Sequence, residues 1–228
     1  MSNLKGKGMD ARTLHEMKMT AYHRAVLRRM CSNPDLKRRV VQHLEDLMHR
    51  QPDMAPVWEA WCALLDRPEA EAVADLQADS VEGKRLRMVS PVTAVLYPAE
   101  RAMVWRCVGW LIFLHHYLAA AADLGLDLEE QAAILGLDGA EIGTWSHAPP
   151  ERMAEERLHG LRQVITVRHI LTILKPVLSE RRQWLETVNP DWEASPLALL
   201  CRGEGAVVCD HLARQVGPRL RAADLPRC

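Results

Sequence analysis

Apolar residues recur every three or four positions along almost the whole of this chain, and nowhere do they alternate over the length of a strand. That property sets the fold class. A period near 3.6 gathers apolar side chains on one face of an α-helix, whereas a half-buried strand needs a period of two. Aromatic strand-formers are also scarce, with one Phe and three Tyr in 228 residues. The pattern predicts an all-α protein. Hydrophobic residues make up 48% of it, enough to bury a core and too many for a disordered chain.

Start and stop signals place the helices. The basic, Met-containing beginning predicts a helix from about residue 10. Ser32-Asn33-Pro34 predicts a capped start with Pro in the first turn, followed by the stripe Leu36, Val40, Leu44, Leu47 and Met48. Val57, Trp61, Leu64 and Leu65 mark a short helix, with Trp58 and Trp61 anchoring an N-terminal core, and Asp66-Arg67-Pro68 leads into another helix. Residues 79–98, with Gly83, Pro91 and Pro98, read as irregular, and the softest domain boundary falls there. The run 107–122 reads as a buried helix, too short for a bilayer and interrupted by His115 and His116. Three regions result: 1–97, helical with a basic arm; 98–150, the buried helix and a helix-turn-helix-like segment; and 151–228, a long helix over 151–174 with a small C-terminal bundle.

Charge is polarised rather than large. Residues 1–50 hold eleven Lys/Arg against five Asp/Glu, residues 51–150 six against fifteen, and residues 151–228 twelve against ten. A formal net charge of −1 argues against wholesale coating of nucleic acid but allows a local basic face or arm. The six cysteines lack CxxC or zinc-finger spacing, so they read as reduced, mostly buried thiols. No secretory signal pattern opens the chain, and the expected location is cytoplasmic, away from membranes. No P-loop, GxGxxG, HExxH or GxSxG motif occurs. Adjacent His115 and His116 point about 100° apart on a helix and do not share a metal. The expectation is a non-enzyme with no cofactor and no metal.

Residues 128–135, a turn at Gly136, and residues 139–145 form the helix-turn-helix-like segment. Ala132 or Ala133 suits a close helix crossing, Leu137 and Ile142 hold the angle, and Trp145 packs beneath. Base contacts in such a motif come from polar and basic residues at the second helix. The candidates here are Gln131, Thr144, Ser146, His147 and Arg152, in a segment where Glu141 opposes phosphate. The basic arm with Lys37, Arg38 and Arg39 is the other source of phosphate contacts.

The C-terminal part reads Trp184-Leu185, Asn189-Pro190, Ser195-Pro196-Leu197, Leu199-Leu200, then Gly205-Ala206. Asn189-Pro190 stops one helix, Ser195 caps a second with Pro196 at its first position, and Gly203 and Gly205 turn the chain into a last helix with Ala206, Val208, Leu212 and Val216 inward. Three short helices are expected on the long one. In order and spacing this resembles the toxin-binding domain of the Xre/MbcA/ParS antitoxin family, over roughly residues 120–217. The resemblance implies a partner-binding protein that neutralises a RES-type, NAD-degrading toxin and represses its own operon through the helix-turn-helix. It implies structural roles for Trp184, Pro190, Pro196 and Gly205. It also implies toxin-facing roles for Arg202, Glu204, Arg214, Arg219 and Arg221, where arginines suit a pocket built for a phosphate-bearing substrate; the same residues also read as ordinary solvated charges. A homodimer or higher oligomer is expected. Two other readings stay open: a stand-alone DNA-binding regulator whose C-terminal bundle dimerises, and a helical enzyme.

Overall fold

The computed structural model describes residues 11–78, 80–145, 149–150 and 153–216. Residues 1–10 of the basic arm, and Ser146, His147, Arg152, Arg219, Arg221 and Cys228, lie outside them. The described residues are mostly α-helix with no strand, so the chain is all-α. It divides into two compact units, Met1–Ile112 and Phe113–Cys228. The division falls inside a helix, not in the irregular stretch expected over 80–98. Val104 and Val108, beyond that stretch, are buried with the N-terminal core and keep residues 98–112 in the first unit.

The first unit contains α1 (Ala11–Ser32), α2 (Pro34–Arg50), a 3-10 turn (Pro52–Met54), α3 (Ala55–Leu65), α4 (Glu69–Gln77), α5 (Val81–Met88), α6 (Val92–Val95) and the first half of α7 (Pro98–Leu124). Helix α2 starts where its sequence predicts. The Asn33 side chain accepts from the Leu36 N–H at 3.2 Å and Pro34 opens the helix. Leu36, Val40 and Leu44 then line up one turn apart, all fully buried, each contributing about 1.5–3 kcal/mol relative to exposure. Trp58 and Trp61 sit in the same core, and the Trp61 indole N–H donates to the Val89 carbonyl at 3.0 Å.

The stretch read as irregular holds two helices. Ser80 caps α5 by accepting from the Gly83 N–H at 3.0 Å, and Pro91 and Pro98 stand at helix starts, where a missing N–H costs nothing. Arg87 on α5 is buried and donates to the carbonyls of Leu76 and Ala78, closing the end of α4. Such a guanidinium satisfies orphan carbonyls that burial would otherwise leave unpaired.

Helix α7 is only striped with burial. Val104, Val108, Leu114, Tyr117, Ala120, Ala121 and Leu124 are covered, whereas Trp105, Cys107, His115 and His116 are exposed. The expected fully buried helix is therefore corrected: an apolar composition does not say which face is covered. At 27 residues the helix is also long and apolar enough to cross a membrane by length and composition, unlike the run 107–122 alone. The cysteines are corrected as well. Cys31 and Cys107 are exposed, and Cys62, Cys201 and Cys209 are half-buried free thiols.

The second unit contains the rest of α7, then α8 (Leu128–Leu135), α9 (Gly139–Gly143), α10 (Glu155–Leu174), α11 (Leu178–Glu186), α12 (Pro196–Cys201) and α13 (Gly205–Val216). Helix α10 is the spine, but only α13 and α8 pack broadly on it; α12 packs on α13, α8 and α11. The three short helices thus form a chain of contacts rather than a layer on the long one. Arg181 is buried and donates to the Lys175 and Pro176 carbonyls at 2.8 Å each, closing the end of α10.

His23 generates a test of the first core. It is buried, and its Nδ1 lies 2.7 Å from the Met19 carbonyl, so Nδ1 carries the proton. Nε2 is buried without a partner. Burial foremost, with Arg87 nearby, pushes its pKa down to about 4. The folded state keeps His23 neutral while the unfolded chain protonates it below about 6.5. The unfolded state therefore binds more protons between pH 6.5 and 4, and stability falls as pH drops through that window. A His23→Leu variant should gain about 2 kcal/mol relative to the parent between pH 7 and pH 4.5, read by urea denaturation. A constant difference across that range contradicts a buried neutral His23.

Candidate functional site

The candidate site is built on the second unit, beginning at the α7–α8 junction. Asp127 caps α8: its side chain accepts from the Glu130 N–H at 2.8 Å, and Glu130 returns by accepting from the Asp127 N–H at 3.0 Å. This reciprocal pair satisfies two orphan donors. Arg182 on α11 then grips the same carboxylate with both terminal nitrogens, at 2.8 and 2.7 Å, and donates to the Gly125 carbonyl at 3.0 Å and to Glu186 at 2.7 Å. The Arg182 hydrogen bonds hold the Glu130 carboxyl below its usual range and raise the Arg182 pKa. Arg168 on α10 pairs with Asp123 on α7 at 2.7 Å. These pairs tie α7, α8, α10 and α11 together.

The helix-turn-helix-like segment has its two helices and its turn, with Gly136 at φ 60°. Ile142 is buried, and Trp145 is buried with its ring 6.0 Å from that of Tyr117. Helix α9 stops at Gly143, so Thr144 and Trp145 lie in a turn after it. The close crossing was expected at Ala132 or Ala133, but Ala132 is half-buried and Ala133 exposed. Gly160 on α10 supplies it, since a Cβ there would sit 3.1 Å from the Ile134 carbonyl.

Gln131 is corrected as a base-reading candidate. It is buried, accepts from the Tyr117 hydroxyl at 3.3 Å and donates to the Leu126 carbonyl at 3.0 Å. A side chain so engaged holds the segment to α7 and does not reach a groove. Thr144 is exposed, but its hydroxyl donates to the Glu141 carbonyl at 2.8 Å. Around it Glu129 and Glu141 are exposed acids.

The C-terminal motif residues fall into place as scaffold. Leu185, Leu199 and Leu200 are buried. Ser195 accepts from the Ala198 N–H at 3.2 Å, with buried Pro196 opening α12. Asn189 and Ala194 pair across a tight loop: the Asn189 N–H donates to the Ala194 carbonyl at 2.9 Å, and the Asn189 side chain accepts from the Asp191 N–H at 2.9 Å. Pro190 is exposed in that loop and Trp184 is half-buried, so neither is a core anchor. Gly205 is buried. A Cβ there would overlap Gln163 Oε1 and lie 2.8 Å from Leu200 Cδ2, so any larger residue makes those two side chains shift where α13 starts. On α13, Val208, Leu212 and Val216 are buried as expected, but Ala206 is exposed.

Arg202, Glu204 and Arg214 are exposed. The first two flank the α12–α13 turn and Arg214 stands on α13, its Nε donating to the Asp210 carbonyl at 3.3 Å. Sequence reasoning missed the neighbouring Trp192, whose ring meets His211 of α13 edge-on at 4.7 Å. Nothing local in the sequence signals that contact, since it depends on the Asn189–Ala194 loop folding back. Cys209 faces inward toward the Gln163 carbonyl, and burial pushes its thiol up to about 11. No group of three or more His, Cys, Asp or Glu suited to a metal occurs among the described residues.

No protein-family model, no curated protein and no solved structure matches the chain.

Two outcomes follow from the scaffold. Arg182→Met leaves Glu130 without its partner and should cost about 1–3 kcal/mol of stability, measured by chemical denaturation. Gly205→Ala should cost about 1–3 kcal/mol through overpacking, whereas Ala206→Gly, at an exposed helical position, should cost no more than about 1 kcal/mol.

Proposed function

We propose that the chain is an antitoxin-like interaction protein that binds and inhibits a cognate toxin of the RES, NAD-degrading type. One observation carries this reading. The packed residues of the C-terminal motif border an exposed charged edge. Leu185, Leu199, Leu200 and Gly205 are buried and Ser195 caps α12, while Arg202, Glu204 and Arg214, to which the resemblance gives toxin-facing roles, are exposed. A packed scaffold that presents charges at a helix-connecting turn and on the following helix suits recognition of another protein, because the backbone carrying them is already ordered before binding. Arginines at such an edge match a pocket that accepts phosphate groups.

Operon repression is the weaker part of the reading. Helix α9 is short, Gln131 is buried, and exposed Glu129 and Glu141 oppose a phosphate backbone. Any autoregulation then draws its phosphate contacts from other segments.

Co-expression with the product of the neighbouring reading frame tests the proposal. Growth should be arrested by that product alone and restored by the pair. The double variant Arg202→Glu, Arg214→Glu should fold normally yet bind the product roughly tenfold or more weakly in a pull-down titration. A harmless neighbour, or toxicity unaffected by co-expression, removes the antitoxin reading.

A further inference from the structure

The first unit carries a surface that the antitoxin reading does not use. Tyr97 and Trp105 are the most exposed large aromatic side chains among the described residues, at 59% and 47%. Both lie along the start of α7: the Tyr97 carbonyl accepts the Arg101 N–H at 2.9 Å, so Tyr97, Arg101 and Trp105 follow at intervals of four. Four-residue spacing keeps them on neighbouring parts of one face, with the two rings roughly 12 Å apart along the axis. Each ring is backed from one side. The Arg39 guanidinium lies 3.9 Å from the Tyr97 ring centroid, and Tyr22 of α1 lies 5.3 Å from Trp105. Arg101 is exposed between them, with one nitrogen donating to the Thr93 carbonyl at 3.2 Å. Arg29 is close enough to help lower the Glu100 pKa. Glu100 itself is engaged by Arg39 at 2.6 Å, as is exposed Asp35 at 3.5 Å.

We infer that Tyr97 and Trp105, with Arg101 between them, form a stacking platform for single-stranded nucleic acid. Rings backed on one side and open on the other accept a base face without ordering first. Arginine between them supplies a phosphate contact and can itself stack. Arg101 stands exposed between the rings, and Glu100 and Asp35 already pair with Arg39, which favours a polyanion over an acidic or apolar peptide. A duplex keeps its bases stacked inside, so open strands fit the platform better.

Fluorescence anisotropy on the full chain at low salt tests this, with labelled oligothymidylate and oligouridylate of about twelve nucleotides and a duplex of equal length. Both single strands should bind, and the duplex at least tenfold more weakly; preference between the two strands identifies DNA or RNA as the source. Tyr97→Ala and Trp105→Ala should each weaken binding about tenfold. Trp105→Phe, which keeps a ring, should retain it. Arg101→Glu, at an exposed position that does not threaten folding, should weaken binding and flatten its salt dependence. The inference is overturned if the parent binds no single strand at low salt or binds duplex equally well. It is also overturned if Tyr97→Ala and Arg101→Glu, each with a parental circular dichroism spectrum, bind as the parent does.

Discussion

Glu130 holds the second unit at its most connected point. One carboxylate closes the capping box of α8 and receives both terminal nitrogens of Arg182, which in turn reaches the Gly125 carbonyl. The end of α7, the start of α8 and the middle of α11 are therefore fixed by one charge. Paired charges of this kind add geometric definition more surely than net stability, because desolvation offsets much of their attraction. Here the definition is what matters. Helix α12 packs on both α8 and α11, so the placement of the α12–α13 edge follows from where those two helices are held.

The same arrangement engages several polar side chains of the helix-turn-helix-like segment. Glu130 is turned toward Arg182 and Gln131 toward Tyr117, and Asp127 and Asp138 cap the helix starts. Glu129 and Glu141 stay exposed. A segment built this way works as a brace between α7 and α10. Exposed arginines in this unit stand instead at the α12–α13 edge.

How much of this the sequence shows depends on the range of each interaction. Caps are legible because the side-chain oxygen reaches a backbone N–H only three residues on; Asn33-Pro34 and Ser195-Pro196 are read correctly for that reason. The stripe of α2 is legible because its period is regular. Gln131 is misread because its partner Tyr117 is fourteen residues away on another helix. Helices α5 and α6 are missed because Gly and Pro were taken as breakers when they stand at capped starts or first turns. Helix α7 defeats the reading differently. Its run 107–122 is apolar except for His115 and His116, and those two adjacent residues on the exposed side are too little pattern to show which face is covered. The edge residues Arg202, Glu204 and Arg214 are exposed as anticipated, but exposure was their default, and only the Trp192–His211 contact beside them adds information the chain order does not contain.

Arg87 and Arg181, each closing a helix end from within, have a consequence for how the chain can be divided. Each gives its donors to carbonyls at the end of the preceding helix, so the close of α4 depends on α5 and the close of α10 on α11. A helix finished by its successor is not a stand-alone segment: cutting the chain just before α5 or just before α11 leaves the preceding helix with open carbonyls at its end.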